Sequence, residues 1–241
     1  MIQSQKSLSI IIPCFNEAKT INELLRRLGG VDFGNRKVQI IVVDDGSTDG
    51  SSELVGEMTG PYPIILIHHP KNLGKGRAVL SGLAVAEGEY TIIQDADLEY
   101  NPADIPKLLK TAEESNLVAV YGSRNLQKNR PASSIFYLGG WVMTLAGNLI
   151  YKINLTDQCT CYKLVKTEIL KKLELYSPGF QLDTEMTIKL ARLNYDIKEV
   201  PISYKARSRE EGKKINFIDA IKIFITILQN RFWLPKDFKK K

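Results

Sequence analysis

The residues best suited to chemistry are Gln94-Asp95-Ala96-Asp97. Two carboxylates one residue apart repel each other unless something positive sits between them or in front of them. They follow Tyr90-Thr91-Ile92-Ile93, an apolar, β-branched run that reads as a buried strand. At the carboxyl end of a strand in an α/β sheet, a hard divalent cation answers that need, and Mg²⁺ is typically held by one or two carboxylates plus substrate phosphates. A D-x-D by itself describes a solvated acidic turn equally well. Its meaning depends on what the rest of the chain brings to it.

Other polar clusters also follow predicted strands. Leu8 to Pro13 reads as a buried strand closed by proline and followed by Phe15-Asn16-Glu17. Val38 to Val43 ends in Asp44-Asp45-Gly46-Ser47, and Leu117 to Gly122 leads to Arg124. Lys71-Asn72-Leu73-Gly74-Lys75-Gly76-Arg77 is a glycine-rich basic turn after a shorter strand, Pro63 to His68. It precedes a helix, where free backbone N–H groups and Lys75 suit an anion. Helical patterns fill the intervals, at about Ala18 to Leu28, from Thr48-Asp49-Gly50 to about Thr59, to about Glu87, and from Asn101-Pro102 to about Glu113. Strand alternating with helix predicts an α/β fold: a mostly parallel, Rossmann-like sheet flanked by helices. In such sheets ligands bind beyond the carboxyl ends of the strands, where each of these clusters falls. An acidic pair reads a ribose or a base, a D-x-D holds a metal, and lysine and arginine hold phosphate; together they describe a nucleoside diphosphate site. Taken singly, each has a plainer reading as a helix cap (Asn16), a solvated turn (Asp44, Lys75) or a surface arginine (Arg124).

With 241 residues, 44% of them hydrophobic, the chain is long enough for one large domain with a real core. No secretory signal is predicted, since Met1 to Ser7 is polar. The three cysteines, Cys14, Cys159 and Cys161, have no framework or zinc spacing and predict reduced thiols in a cytoplasmic setting. The net charge of +6 is uneven: residues 201–241 hold eleven basic and four acidic side chains. That basic end suits nucleic acid, anionic lipid or a phosphorylated substrate. No helix-turn-helix or aromatic stacking motif supports nucleic acid.

Ile11-Ile12-Pro13-Cys14-Phe15-Asn16-Glu17, Val42-Val43-Asp44-Asp45-Gly46-Ser47-Thr48-Asp49, Asn72-Leu73-Gly74-Lys75-Gly76, Asp95-Ala96-Asp97 and Gly122-Ser123-Arg124 together resemble the family 2 glycosyltransferases of GT-A fold. Within that family they are most similar to the dolichol- and polyprenyl-phosphate sugar synthases. The resemblance runs from about residue 8 to 231. It implies a nucleotide-sugar donor (GDP-mannose or UDP-glucose), a Mg²⁺ or Mn²⁺ ion, inversion at the anomeric carbon and a polyprenyl or dolichyl phosphate acceptor. Carried over by position, Pro13, Phe15, Asn16, Glu17, Asp44, Asp45 and Lys75 line the nucleotide sugar. Asp95, Ala96 and Asp97 face metal and diphosphate, and Arg124 faces the phosphates. Asp183 and Glu185, in Phe180-Gln181-Leu182-Asp183-Thr184-Glu185, match an acidic pair near the acceptor; their plainer reading is the favourably charged start of a helix running to about Asn194. Pro201 to Arg207 reads as a strand leading into Ser208-Arg209-Glu210-Glu211-Gly212-Lys213-Lys214. That basic loop resembles the one that closes over donor and acceptor phosphates, which gives Arg207, Lys213 and Lys214 to the acceptor. Thr156 to Lys163 resembles the family's acceptor-side segment, except that the family more often has an acid near Gln158.

Residues 131–151 carry no charge. A stretch of that length can span a bilayer, but its serines, Asn148 and three glycines dilute it, and the reading taken is an interfacial or core helix. From Phe217 to Leu234 a helix is predicted with one narrow polar stripe, followed by Lys236 and Lys239 to Lys241. This predicts residues 1–214 as the catalytic domain and 215–241 as an amphipathic helix with a basic tail. The protein is then peripheral, at the cytoplasmic face of the membrane.

The implied acceptor explains the lack of an obvious base. An alcohol needs a general base to take its proton, whereas a phosphate monoester with its second pKa near about 6 is already a nucleophilic anion. It needs cations around it, for which Arg124, Arg207, Lys213, Lys214 and the metal are the candidates. A family 2 enzyme acting on a glycan, with Asp183 or Glu185 as base, is the alternative. A nucleotidyltransferase or nucleic-acid-binding protein is a third reading.

Overall fold

The computed structural model describes residues 6–127, 129, 134–207 and 217–235. Strands β1 (Ser7–Cys14), β2 (Lys37–Asp44), β3 (Ile64–His68), β4 (Tyr90–Ile93), β5 (Ala119–Ser123), β6 (Lys163–Lys166) and β7 (Ile197–Pro201) form one sheet. Its order is β3-β2-β1-β4-β6-β5-β7. β6 is antiparallel to both neighbours, and the other strand pairs are parallel. The helices are α1 (Ile21–Gly29), α2 (Ser51–Gly56), α3 (Lys75–Val85), α4 (Ile105–Glu114), α5 (Ser134–Tyr151), α6 (Thr167–Lys172), α7 (Leu182–Arg192) and α8 (Phe217–Gln229). One-turn 3₁₀ segments precede α4 and follow α8.

Both faces of the sheet are covered, which is why its strands read as continuous apolar runs. Leu8, Ile10 and Ile12 of β1 pack with Leu24 and Leu28 of α1 and Leu108 of α4. Ile11 points the other way, into a layer with Val79 of α3, Leu170 of α6 and Met186 of α7. Burying each such side chain contributes roughly 1.5–3 kcal/mol.

Two sequence expectations are corrected. β6 and α6 were not anticipated: Lys163-Leu164-Val165-Lys166 is short and framed by lysines. Lys163 is nonetheless fully buried, because its ammonium donates to the carbonyls of Gln158 (2.7 Å) and Thr160 (2.8 Å). The expected strand Pro201 to Arg207 lies one step earlier in the chain, at Ile197–Pro201. β5 ends at Ser123, so beyond Ile202, whose N–H donates to the Ser123 carbonyl, the ladder with β5 stops and Tyr204 instead makes an isolated antiparallel bridge with Tyr100. Residues 203–205 then satisfy their N–H groups on Asp104, Asn129 and the Glu99 carbonyl and cross the sheet's end.

Residues 134–151 of the uncharged stretch form α5, packed on α8 and α7 through Met143, Ala146, Ile150, Ile223, Ile227 and Ile188. The Tyr151 hydroxyl donates to the Ile227 carbonyl. The outer faces of the two helices leave Trp141, Leu145 and Leu149, and Ile218, Phe224 and Leu228, exposed. Among the described residues no helix is long and apolar enough to cross a membrane.

Candidate active site

The strand order reverses at β1, with β2 on one side and β4 on the other. At such a switch point the crevice lies beyond the carboxyl ends of the strands. Here those ends carry Pro13 to Glu17 and Gln94 to Asp97. Arg207 joins them. Its Nη2 lies 3.0 Å from Glu17 Oε2, its Nε donates to the Asp97 carbonyl (2.6 Å), and its backbone N–H donates to Glu99 Oε1 (2.6 Å). Glu17 and Arg207 are both nearly buried, at 9% and 13% side-chain exposure, so the pair is shielded from the solvent that weakens surface ion pairs. Arg207, expected at the acceptor phosphate, lies against Glu17 and the Asp97 carbonyl, residues expected on the donor side. Glu99, which orders both Arg207 and the Tyr204 hydroxyl (2.6 Å), was missed. The signal was a third carboxylate two residues after Asp97.

The D-x-D carboxylates differ from each other. Asp95 Oδ1 accepts from Lys75 Nζ at 2.8 Å. Asp97 Oδ1 accepts the Glu99 N–H at 3.0 Å. Burial, then the charges of Asp95 and Glu99, push the Asp97 carboxyl up to about 7. Lys75 balances Asp95, but at Asp97 burial and the carboxylates of Asp95 and Glu99 outweigh the Arg207 charge, a deficit that fits Mg²⁺ or Mn²⁺ held jointly by two carboxylates and substrate phosphates. Among the described residues no third metal-ligating side chain converges on it. Ala96 is buried between the two acids.

Arg124 is gripped by Asp157 through two contacts of 2.7 Å, and lies over the Tyr204 ring at 5.0 Å. Tyr204 stacks edge-on against Tyr100, which stacks on Tyr162. Asp157 is buried; burial alone would raise its carboxyl, but the Arg124 guanidinium outweighs that and holds it below the usual range. Asp157 lay in a segment compared with the family, yet no property of the sequence tied it to Arg124.

On the β2 rim the acidic pair is satisfied from within. Asp45 accepts the N–H groups of Leu73 (3.0 Å) and Gly74 (2.8 Å) and pairs with His69 at 2.7 Å. Asp44 accepts the Ser47 N–H. Asn16, at φ 51°, accepts the Thr48 N–H and clips the β1 rim to the β2 rim, so it acts within the fold. Pro13 and Phe15 are half-buried on the same rim.

The anion-cradle reading of the Gly74-Lys75-Gly76 turn is corrected. Residues 177–179 lie across the start of α3, and the Arg77 N–H donates to the Pro178 carbonyl at 3.1 Å. A Cβ on Gly76 would stand 2.1 Å from the Ser177 carbonyl oxygen, and one on Gly74 2.5 Å from that of Pro178. The glycines permit this close backbone approach. Lys75 turns to carboxylates: Asp95 at 2.8 Å and Asp183 at 3.4 Å, with Cys161 Sγ at 2.9 Å. Burial opposes its charge, and Asp183 and Asp95 outweigh burial and hold its ammonium above the ordinary range.

The expected Asp183–Glu185 pair divides. Asp183 reaches the cluster, 6% exposed, with Oδ1 lacking a hydrogen-bond partner among the described residues. Glu185 does not reach it: it is fully buried, pairs with Lys189 at 2.6 Å and accepts the N–H groups of Tyr176 and Ser177. Its acceptor role is therefore corrected. Lys213, Lys214 and the tail lysines lie outside the described residues.

The whole fold superposes on that of a GT-A sugar transferase. Glucosyl-3-phosphoglycerate synthase from Mycobacterium tuberculosis, solved with Mn²⁺, UDP-glucose and phosphoglyceric acid, matches with a TM-score of 0.72 and 19% identity, over 96% of this chain and 81% of that one. Its complex with Mg²⁺ and UDP matches with a TM-score of 0.71 and 20% identity, over the same shares of the two chains. The family model for glycosyl transferase family 2 matches residues 9–174, and the chain belongs to that family. A dolichol-phosphate mannosyltransferase of Pyrococcus furiosus is 30% identical over 209 residues, 85% of this chain and 58% of the relative, so this chain spans little more than half of that protein. An undecaprenyl-phosphate mannosyltransferase of Micrococcus luteus is 29% identical over 84% of this chain and 85% of its own length.

Proposed function

We propose that the protein transfers a hexose, with inversion, from a nucleoside-diphosphate sugar to a polyprenyl phosphate at a membrane surface. The observation that carries this is the arrangement of the 155–159 segment. Its Asp157 grips Arg124 beside the crevice, while Leu155 and Gln158 are held by Asn148 and Thr144 of α5. A phosphate-seeking arginine and an exposed apolar helix are thus parts of one unit. The names of the Pyrococcus and Micrococcus relatives support the same acceptor.

In this reading Pro13, Phe15 and Glu17 line the nucleoside, and Asp95 and Asp97 hold Mg²⁺ or Mn²⁺, the ions present in the mycobacterial complexes. The ion, when bound, neutralises charge on the departing diphosphate. Arg207, set between Glu17 and the Asp97 loop, orients the donor phosphates. Asp183 Oδ1, an acceptor without a partner among the described residues, takes a hydrogen bond from a sugar hydroxyl. A carboxylate there would repel an acceptor phosphate, so the acceptor anion approaches from the Arg124 side. The phosphate is its own nucleophile, and the residues around it orient it and balance its charge. The apolar faces of α5 and α8 rest on the lipid headgroups, and residues 215–241 serve as a membrane-facing appendage to the catalytic domain of residues 1–214. The location is the cytoplasmic face.

The test is to incubate the protein with Mn²⁺, undecaprenyl phosphate and each of GDP-mannose and UDP-glucose, and to weigh the lipid product. A lipid gaining one hexose supports the reading. Hexose appearing only on sugar or glycan acceptors would replace it with the glycan-polymer alternative.

A further inference from the structure

Glu185 and Lys189 lie outside the crevice, yet both are fully buried and 2.6 Å apart, one turn apart on α7. Burying such a pair is costly unless its remaining hydrogen-bond capacity is used, and here it is used on one segment. Glu185 accepts the N–H groups of Tyr176 (3.1 Å) and Ser177 (2.9 Å). Lys189 donates to the Glu174 carbonyl (2.7 Å). The ammonium lies between two rings, Tyr176 at 4.7 Å and Trp233 at 4.5 Å. The segment so held, residues 174–179, continues directly into the contact that covers the start of α3: Arg77 N–H on the Pro178 carbonyl, with Gly74 and Gly76 admitting its backbone. The first residue of α3 is Lys75, fixed on Asp95.

We propose that Glu185 and Lys189 are positioning residues: a buried clamp that holds the 174–179 strap across the start of α3 and so fixes Lys75 against Asp95. Trp233, donated by the segment after α8, closes the clamp from outside. The apolar C-terminal helix is thereby mechanically tied to the D-x-D cluster. The catalytic meaning of this arrangement rests on the glycosyl-transfer reading; the strap itself does not.

Amide hydrogen exchange on the full chain separates the two. In Lys189→Met the carboxylate keeps its strap N–H groups, whereas in Glu185→Gln the amide replaces it and faces an ammonium. Exchange should accelerate by about tenfold to a hundredfold at Tyr176 and Ser177 in Glu185→Gln. It should also accelerate at Arg77, whose N–H is held by the strap's Pro178 carbonyl and which Glu185 does not touch, while β1 and β2 keep their protection. Lys189→Met and Trp233→Ala should give the same pattern at smaller amplitude, and they serve as the test if Glu185→Gln fails to fold. Mn²⁺-dependent binding of UDP or GDP should weaken in parallel with the exchange at Arg77. Acceleration confined to Tyr176 and Ser177, or uniform over the sheet, overturns the clamp. Acceleration at Arg77 with no binding of either nucleotide to the wild type keeps the clamp and overturns the glycosyl-transfer reading.

Discussion

Two acidic pairs stand at the ends of the strands on either side of β1, Asp44–Asp45 at the end of β2 and Asp95–Asp97 after β4, and the protein treats them differently. Asp45 is surrounded by donors from its own chain: two loop N–H groups and His69. Asp97 has one backbone donor and two carboxylate neighbours, and its carboxyl is pushed up to about 7 by burial and by those charges. The first pair is spent on local turns, Asp45 on residues 73 and 74 and Asp44 on Ser47. In the second, Lys75 balances Asp95, while Asp97 keeps an electrostatic deficit that a divalent cation and a diphosphate can fill together. A paired-acid motif thus signals a ligand only where the fold withholds its own donors.

The largest expected effect breaks the second pair. Asp97→Asn should lower transfer by roughly a hundredfold to a thousandfold, the scale set by losing one preorganised charge-stabilising group. Its melting temperature should hold or rise, because an uncompensated charge has been removed. The mirror experiment is Asp45→Ala. Losing hydrogen bonds to a buried carboxylate, at about 1.5–3 kcal/mol each, should lower stability by about 3 kcal/mol or more in urea titration. The Mn²⁺ dependence of nucleotide binding in the surviving folded fraction should be unchanged. If instead Asp45→Ala is stable and loses its metal response, the roles of the two pairs are reversed.

Arg207→Ala comes next. With its guanidinium on Glu17 and its Nε on the Asp97 loop, its loss should reduce turnover by about tenfold to a hundredfold. Donor affinity measured without acceptor should fall by a comparable factor. A loss confined to the acceptor KM would move Arg207 off the donor side. The smallest effect lies furthest from both pairs. Leu149→Ser with Phe224→Ser removes two exposed apolar side chains and should reduce partition onto anionic vesicles by about tenfold. Transfer to a short, detergent-dissolved acceptor should hardly change. Unaltered vesicle binding would mean that α5 and α8 do not face the lipid.

The first half of the fold was legible because buried parallel strands announce themselves as apolar runs, and the loops after them collect the polar residues. The second half was not. β6 hides behind Lys163, whose burial depends on two carbonyls that only tertiary structure supplies. The 202–207 segment has strand-like residues, but past the end of β5 it finds only the isolated bridge of Tyr204 with Tyr100 among the described residues. In the site, Asp95, Asp97, Glu17 and Arg124 were legible as residues at strand ends. What each one pairs with was not, because Asp157 lies 33 residues from Arg124 and Glu17 lies 190 residues from Arg207. The Gly74-Lys75-Gly76 turn was read as a phosphate cradle because glycines at a helix start suit an anion. In this fold they admit the backbone of residues 177–179 instead.

The most direct test of the contrast between the two pairs is calorimetric titration of UDP and GDP, with and without Mn²⁺, into wild type, Asp97→Asn and Asp45→Asn. Losing even an outer-shell partner of a metal ligand typically costs about tenfold to a hundredfold in metal affinity, so loss of a carboxylate ligand should cost at least that. Mn²⁺ should therefore tighten the cognate nucleotide strongly in the wild type and in Asp45→Asn, and hardly at all in Asp97→Asn. Equal tightening in wild type and Asp97→Asn would contradict the assignment of the metal to the pair after β4.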